Sequence, residues 1–186
     1  METLAFKSAA AFRRWLADGH QSVDGIWLRM FKKDSGQKTV TYAEALDEAL
    51  CFGWIDGQRK TFDEHSFIQK FTPRRARSGW SKWNTQHAER LIKAGQMTPA
   101  GLAAIEAAKA DGRWQAAYSS PRNATPPEDF LKALGWNKKA RSFFATLNKA
   151  NLYAIVYRLQ TAKKPETRER RMKSILAMLT RGEKFH

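Results

Sequence analysis

TYAEALDEALCFGWIDG, residues 41–57, is the stretch on which the fold turns. Thr41 and Glu44 stand three apart ahead of an apolar run, the spacing of a capping box: the hydroxyl accepts from the third helical amide while the carboxylate reaches back to the cap amide. Tyr42, Leu46, Ala49 and Leu50 then share one helical face, and Glu44, Asp47 and Glu48 lie away from most of it. Gly53 stops the helix, and Trp54 at once opens an extended run to Phe62. A helix delivered into a strand through a single glycine predicts an α+β body.

Working outward, Ser66 to Thr72 reads as the next strand. The link Asp63-Glu-His65 is too short for a parallel crossover, so the two strands should pair antiparallel. Upstream, Ile26, Leu28 and Met30 alternate with Trp27, Arg29 and Phe31, a strand with apolar side chains on both faces that should join the same sheet. The expectation is a small antiparallel sheet of about three strands. Ser8 to Asp18 reads as an amphipathic helix with Ser8 as cap, Gly19 as stop, and Phe12, Trp15 and Leu16 on one face. Asp34-Ser-Gly36 is a turn by composition.

After Pro73 the pattern turns helical. Ser81 can cap a helix to Ala94, and Thr98-Pro99 opens another that Gly112 stops. Thr125-Pro-Pro-Glu128 repeats the capping-box spacing ahead of a helix ending at Gly135. Asn137 to Leu147, Asn151 to Lys164 and a last helix from about Thr167 complete an all-helical C-terminal half. Ser119 to Thr125, polar and flanked by proline, is the natural linker. The chain thus divides into an α+β body at residues 1–118 and a helical region at 125–186, with no internal repeat.

Lys and Arg number 33 against 18 Asp and Glu, a formal net charge of +15. Such an excess favours an anionic partner, either a small molecule or a macromolecule such as nucleic acid, or else serves solubility alone. One cysteine excludes an intramolecular disulfide. No apolar run approaches the roughly 18 residues that span a bilayer. Lys7, Arg13 and Arg14 interrupt the N-terminal segment, which does not read as a secretory leader, so a cytoplasmic location is expected. Oligomeric state is left open.

The richest site candidate is Pro73 to Asn84. Arg74, Arg75, Arg77 and Lys82 lie there among Trp80 and Trp83, with no acid between Glu64 and Glu89. Guanidinium forks suit phosphate or carboxylate, indole faces suit stacking, and the helix start beside them favours an anion. Trp54 and Trp80 are expected to wall this pocket, with Asp56 orienting Arg59 or Arg75. The competing reading makes both Trp80 and Trp83 core and pairs the arginines with Asp47, Glu48 or Asp56. A second basic surface, Lys163, Lys164, Arg168, Arg170, Arg171 and Lys173, could contact nucleic-acid phosphates. Basic residues early in a helix oppose its dipole, which hints at selection for something other than helix stability.

Other chemistry finds little support. Cys51 ends an apolar helix face and should be buried and inert. His20, His65, His87 and His186 have no metal-ligand spacing to one another or to Cys51. Neither a catalytic residue, a metal nor a cofactor is therefore assigned. An uncharacterised enzyme working through Asp47, Glu48 or Asp56 stays as an alternative.

Residues 42–57 (YAEALDEALCFGWIDG), Phe71-Thr-Pro-Arg-Arg75, Ser78-Gly-Trp-Ser-Lys-Trp-Asn84, Gly95 to Gly101 and the tail Ala162 to Met172 together resemble the YdeI/OmpD-associated family, in order and over nearly the whole chain. Trp83 departs from it, standing where a smaller residue is expected. The resemblance implies a bacterial protein linked to bacteriocin protection or stress, and carries no catalytic residue. Association with an outer-membrane porin is also implied by the family label, but the lack of an export signal argues against direct contact. The reading is a non-enzymatic protein that binds an anionic ligand or partner at a basic aromatic pocket, with nucleic-acid binding through the C-terminal helices as the alternative.

Overall fold

The structure, a computed structural model, describes residues 1–119, 124–162 and 164–186. Two compact units divide it, Met1–Gly79 with Asn84–Gln115, and Trp80–Trp83 with Ala116–His186. The fold is α+β, with eight α-helices and four strands among the described residues.

In the first unit, β1 (Thr3–Ala5), β2 (Ile26–Phe31), β3 (Trp54–Thr61) and β4 (Ser66–Pro73) form one mixed sheet in the order β1-β2-β4-β3. The three expected strands pair antiparallel, but a fourth is present: β1 runs parallel to β2 at the edge. Three residues with half-buried Leu4 at the centre carry no readable period, and only the pairing Leu4 to Leu28 makes them a strand. Helix α1 (Ala9–Gly19) is the crossover this parallel pair requires.

Every second residue of β2 is buried, and the register sets Ile26 opposite Phe71 and Met30 opposite Phe67. This inner face carries the helices. The Phe12 ring of α1 meets Phe71 edge-on at 5.9 Å, and Trp15 meets Trp54 at the same distance with perpendicular planes. Helix α2 (Tyr42–Cys51) starts on the anticipated capping box, with Thr41 Oγ1 accepting from the Glu44 amide and the Glu44 carboxylate accepting from the Thr41 amide at 2.8 Å. It buries Ala45, Leu46, Ala49 and Leu50.

Gly53 takes φ 71°, which permits the reversal from α2 into β3. Helices α3 (Lys82–Lys93) and α4 (Pro99–Ala110) follow, α4 with Thr98 as cap and proline in its first turn. The start of α4 presses on the end of α2: a Cβ at Gly101 would lie 2.2 Å from the Cys51 carbonyl oxygen. That carbonyl accepts from both the Thr98 amide, at 3.1 Å, and the Thr98 hydroxyl, at 2.6 Å.

In the second unit, helices α5 (Glu128–Gly135), α6 (Lys138–Phe144), α7 (Lys149–Gln160) and α8 (Pro165–Thr180) close on Phe130, Leu134, Ala140, Ile155, Leu159, Ile175 and Leu179. Asn137 and Asn148 cap α6 and α7 through their side chains. The capping box expected at Thr125 does not form. Pro127 occupies the cap position of α5 with φ −61° and ψ 145° and no side-chain bond, because the two prolines extend the chain and push the helix start beyond the reach of Thr125. The expected linker at Ser119 to Thr125 falls largely outside the described residues. No described helix is long and apolar enough to cross a membrane.

Candidate functional site

The end of β4 and the turn after it hold the arginines that composition singled out. The Arg74 amide donates to the Gly53 carbonyl at 3.0 Å, which ties the turn to the stop of α2. The Ser78 amide donates to the Arg75 carbonyl at 2.9 Å and the Ser78 hydroxyl accepts from the Arg75 amide at 3.2 Å, closing the turn on itself. Arg74 Nη1 donates across it to the Gly79 carbonyl at 3.2 Å. From the far side the nearly buried Arg113 donates through Nη1 to the Ser78 carbonyl at 2.8 Å, while its Nε is held by Asp111. The turn is pinned at both ends. Arg75 and Arg77 are exposed on it, and neither forms an ion pair among the described residues.

The other expected members are placed differently. Trp54 is 1% exposed, its indole nitrogen donating to the His20 carbonyl at 3.2 Å, so it packs the core rather than walling a pocket. Asp56 accepts from the Tyr42 hydroxyl at 2.9 Å, so a tyrosine holds it where an arginine was anticipated. Burial first, and then the Asp56 charge, push the Tyr42 phenol well above its ordinary pKa. Arg59 lies with its guanidinium 3.8 Å from the centre of the Phe67 ring, on the strand position paired with Gln69. Trp80 and Lys82 belong to the second unit, where their backbone pairs with Tyr118. Trp80 is buried, whereas Trp83 is 54% exposed.

The carboxylates of the enzymatic alternative are all engaged. Asp47 receives His87 Nδ1 at 2.8 Å and Arg90 Nη2 at 2.6 Å, one on each oxygen. Glu48 receives Arg13 at 2.7 Å. Cys51 is buried, and that burial raises its thiol pKa against the opposing pull of Arg13, the condition of an unreactive thiol. No three His, Cys, Asp or Glu side chains gather into a possible metal site among the described residues.

In the second unit the tail cations divide. Arg168 makes a two-pronged ion pair with Asp129, and Lys173 pairs with Glu169 one turn back. Arg171 Nη1 donates to the Arg158 carbonyl at 2.7 Å, capping the end of α7. It also lines a cavity of about 360 Å³ with Tyr157, Arg158, Thr161, Ser174 and Phe185. Lys164 and Arg170 are exposed, and Lys163 lies outside the described residues. Two of the six expected phosphate contacts, Arg168 and Arg171, are thus spent on holding helices together, and Lys173 pairs within α8. Periodicity gave no sign of the Arg168 pairing, because Asp129 and Arg168 meet only through the packing of α5 on α8.

Two family models match the chain. One, described as a domain of unknown function, DUF8412, covers residues 4–104. The other, described as bacteriocin-protection, YdeI or OmpD-associated, covers residues 123–182. The tail motif Ala162 to Met172 falls under the second, whereas the motifs from Tyr42 to Gly101 fall under the first. The YdeI/OmpD-associated match is therefore narrower than the resemblance over nearly the whole chain. No curated protein and no solved structure matches.

Proposed function

We propose, for a chain that belongs to the DUF8412 family and carries a YdeI/OmpD-associated, bacteriocin-protection domain, a non-enzymatic role in which the 74–79 turn binds an anionic ligand or partner. The observation that carries this reading is the pinned turn itself. Hydrogen bonds to Gly53 and from Arg113 fix its backbone, and Arg75 and Arg77 project from it outside any described ion pair. Two guanidinium groups on a fixed backbone lose little freedom when they close on a phosphate or carboxylate, and each can make two parallel bonds. The engagement of Asp47, Glu48 and Asp56 with neighbouring side chains supports the absence of acid–base chemistry there. A role in bacteriocin or stress tolerance, exercised in the cytoplasm, is the setting that fits the domain description and the charge.

Thermal denaturation with added pyrophosphate or tripolyphosphate tests the reading. A ligand at a hundred times its dissociation constant stabilises the folded state by about 2.7 kcal/mol. The wild type should gain stability with increasing polyphosphate, and the double variant Arg75→Ala/Arg77→Ala should not. Equal gains in both proteins would remove the turn as the site.

A further inference from the structure

The outer face of the sheet carries a second and independent feature. Pairing places Trp27 opposite Lys70, Arg29 opposite Ile68, Lys60 opposite Ile68 and Ile55 opposite Thr72. These side chains therefore share the face turned away from Phe12 and Trp15. A sheet face left to water is ordinarily polar. This one keeps Trp27 and Phe31 half-buried, and Phe62, just beyond β3, is 49% exposed.

The aromatic rings are held by cations. Arg29 lies 4.6 Å from the centre of the Phe31 ring and 4.5 Å from that of Phe62. Its Nη2 donates to Asp63 at 2.6 Å and its Nε to the Ser66 hydroxyl at 3.0 Å, so the guanidinium is a fixed post with a ring on either side. Lys60 reaches across β4 until its Nζ is 4.9 Å from the centre of the Trp27 ring. Neither Lys60 nor Lys70 forms an ion pair among the described residues. Of the two acids in the β3–β4 turn, Asp63 is taken by Arg29, and Glu64 is exposed beside it.

We propose that this face binds single-stranded nucleic acid, with Trp27 and Phe62 stacking on bases while Lys60 and Lys70 contact the phosphates between them. The chemistry selects that occupant. Partly exposed rings beside lysines that form no ion pair among the described residues match a strand whose bases are free to stack, and a duplex hides its base faces within its own stack. An acidic polypeptide would use the lysines and leave the rings without a partner. This reading uses other residues than the 74–79 turn and stands or falls separately from it.

Fluorescence anisotropy of labelled fifteen-nucleotide oligothymidylate and oligouridylate, titrated with the full chain at low salt, is the test. Binding is expected to single strands and to be markedly weaker to a duplex of equal length. Phe62→Ser and Trp27→Ala should each weaken it by roughly fivefold or more, the scale of one lost base–ring stack. Trp27→Phe should restore most of the loss. Lys60→Glu/Lys70→Glu should lower the slope of log affinity against log salt by about 1.4, two single-strand phosphate contacts. Phe62 and Lys60 are exposed, so Phe62→Ser keeps the test valid should Trp27→Ala fail to fold. Arg75→Ala/Arg77→Ala, read in the same titration, should leave the Phe62 effect in place. No binding at low salt, equal affinity for duplex, indifference to Phe62→Ser, or equal displacement by polyglutamate would each overturn the proposal.

Discussion

Replacing Gly101 by alanine puts the contact between α2 and α4 to a quantitative test. The added Cβ would sit 2.2 Å from the Cys51 carbonyl oxygen, 2.8 Å from its carbon and 2.7 Å from Met97 Cε. Met97 can swing away, but the carbonyl cannot, because it accepts from the amide and hydroxyl of Thr98 in the same turn. Relief requires α4 to retreat by roughly an ångström, the overpacking response that costs about 1–3 kcal/mol. Retreat also stretches the two Thr98 bonds, each contributing about 1 kcal/mol. Alanine returns about 1 kcal/mol through its better helix propensity. The net expectation is a loss of about 3 kcal/mol, or a fall in melting temperature of about 6–12 °C for a chain of this size. Far-UV circular dichroism during heating and urea titration reads it. Gly135→Ala is the control, since a Cβ there meets nothing within 4 Å and its φ is not positive. That variant should be neutral or slightly stabilised. A Gly101→Ala protein melting within about 2 °C of wild type would refute the close packing of α4 on Cys51.

Two other outcomes follow from named contacts. Arg168, by hydrogen bond first, holds the Asp129 carboxyl below its ordinary pKa, so the stabilisation is present above the unfolded value of about 3.9 and is lost as pH falls through the folded one. Asp129→Asn should therefore cost up to about 1 kcal/mol at neutral pH, the discounted worth of a largely exposed pair, and progressively less as the pH falls into the acid range. An equal deficit at neutral and acid pH in urea titrations would assign the effect to the bond that Asp129 accepts from the Phe130 amide instead. Cys51, buried with its thiol pKa raised, should resist a maleimide in the native protein and react promptly in denaturant; rapid native labelling would contradict that burial.

What the sequence made legible was local. Thr41 and Glu44 announce their helix because the capping box lies within three residues, and Gly53 announces its end because only a left-handed turn feeds β3 so abruptly. The alternation of β2 likewise survives in its burial pattern. What could not be read depended on partners far along the chain. β1 exists only because Leu4 meets Leu28, and Trp54 is core only because Trp15 and the His20 carbonyl reach it. Asp56 illustrates the same limit at the candidate site. Its neighbours in sequence suggested an arginine partner, yet α2 folds back to set Tyr42 beside it, fourteen residues away.

Charge shows the limit most plainly, and in a way that bears on function. An excess of 15 positive charges says that cations outnumber acids, but not which cations are free. Arg13, Arg29, Arg90, Arg113 and Arg168 are each neutralised by a nearby carboxylate, as are Lys109, Lys173 and Arg181. The basic tail gives up Arg168 and Lys173 to this pairing. Lys60 and Lys70, ten positions apart and unremarkable in composition, emerge on one sheet face because a hairpin folds β3 onto β4. A surface that binds anions needs unpaired charge on a backbone that does not move. By that measure the 74–79 turn and the outer sheet face both rank above the tail helix.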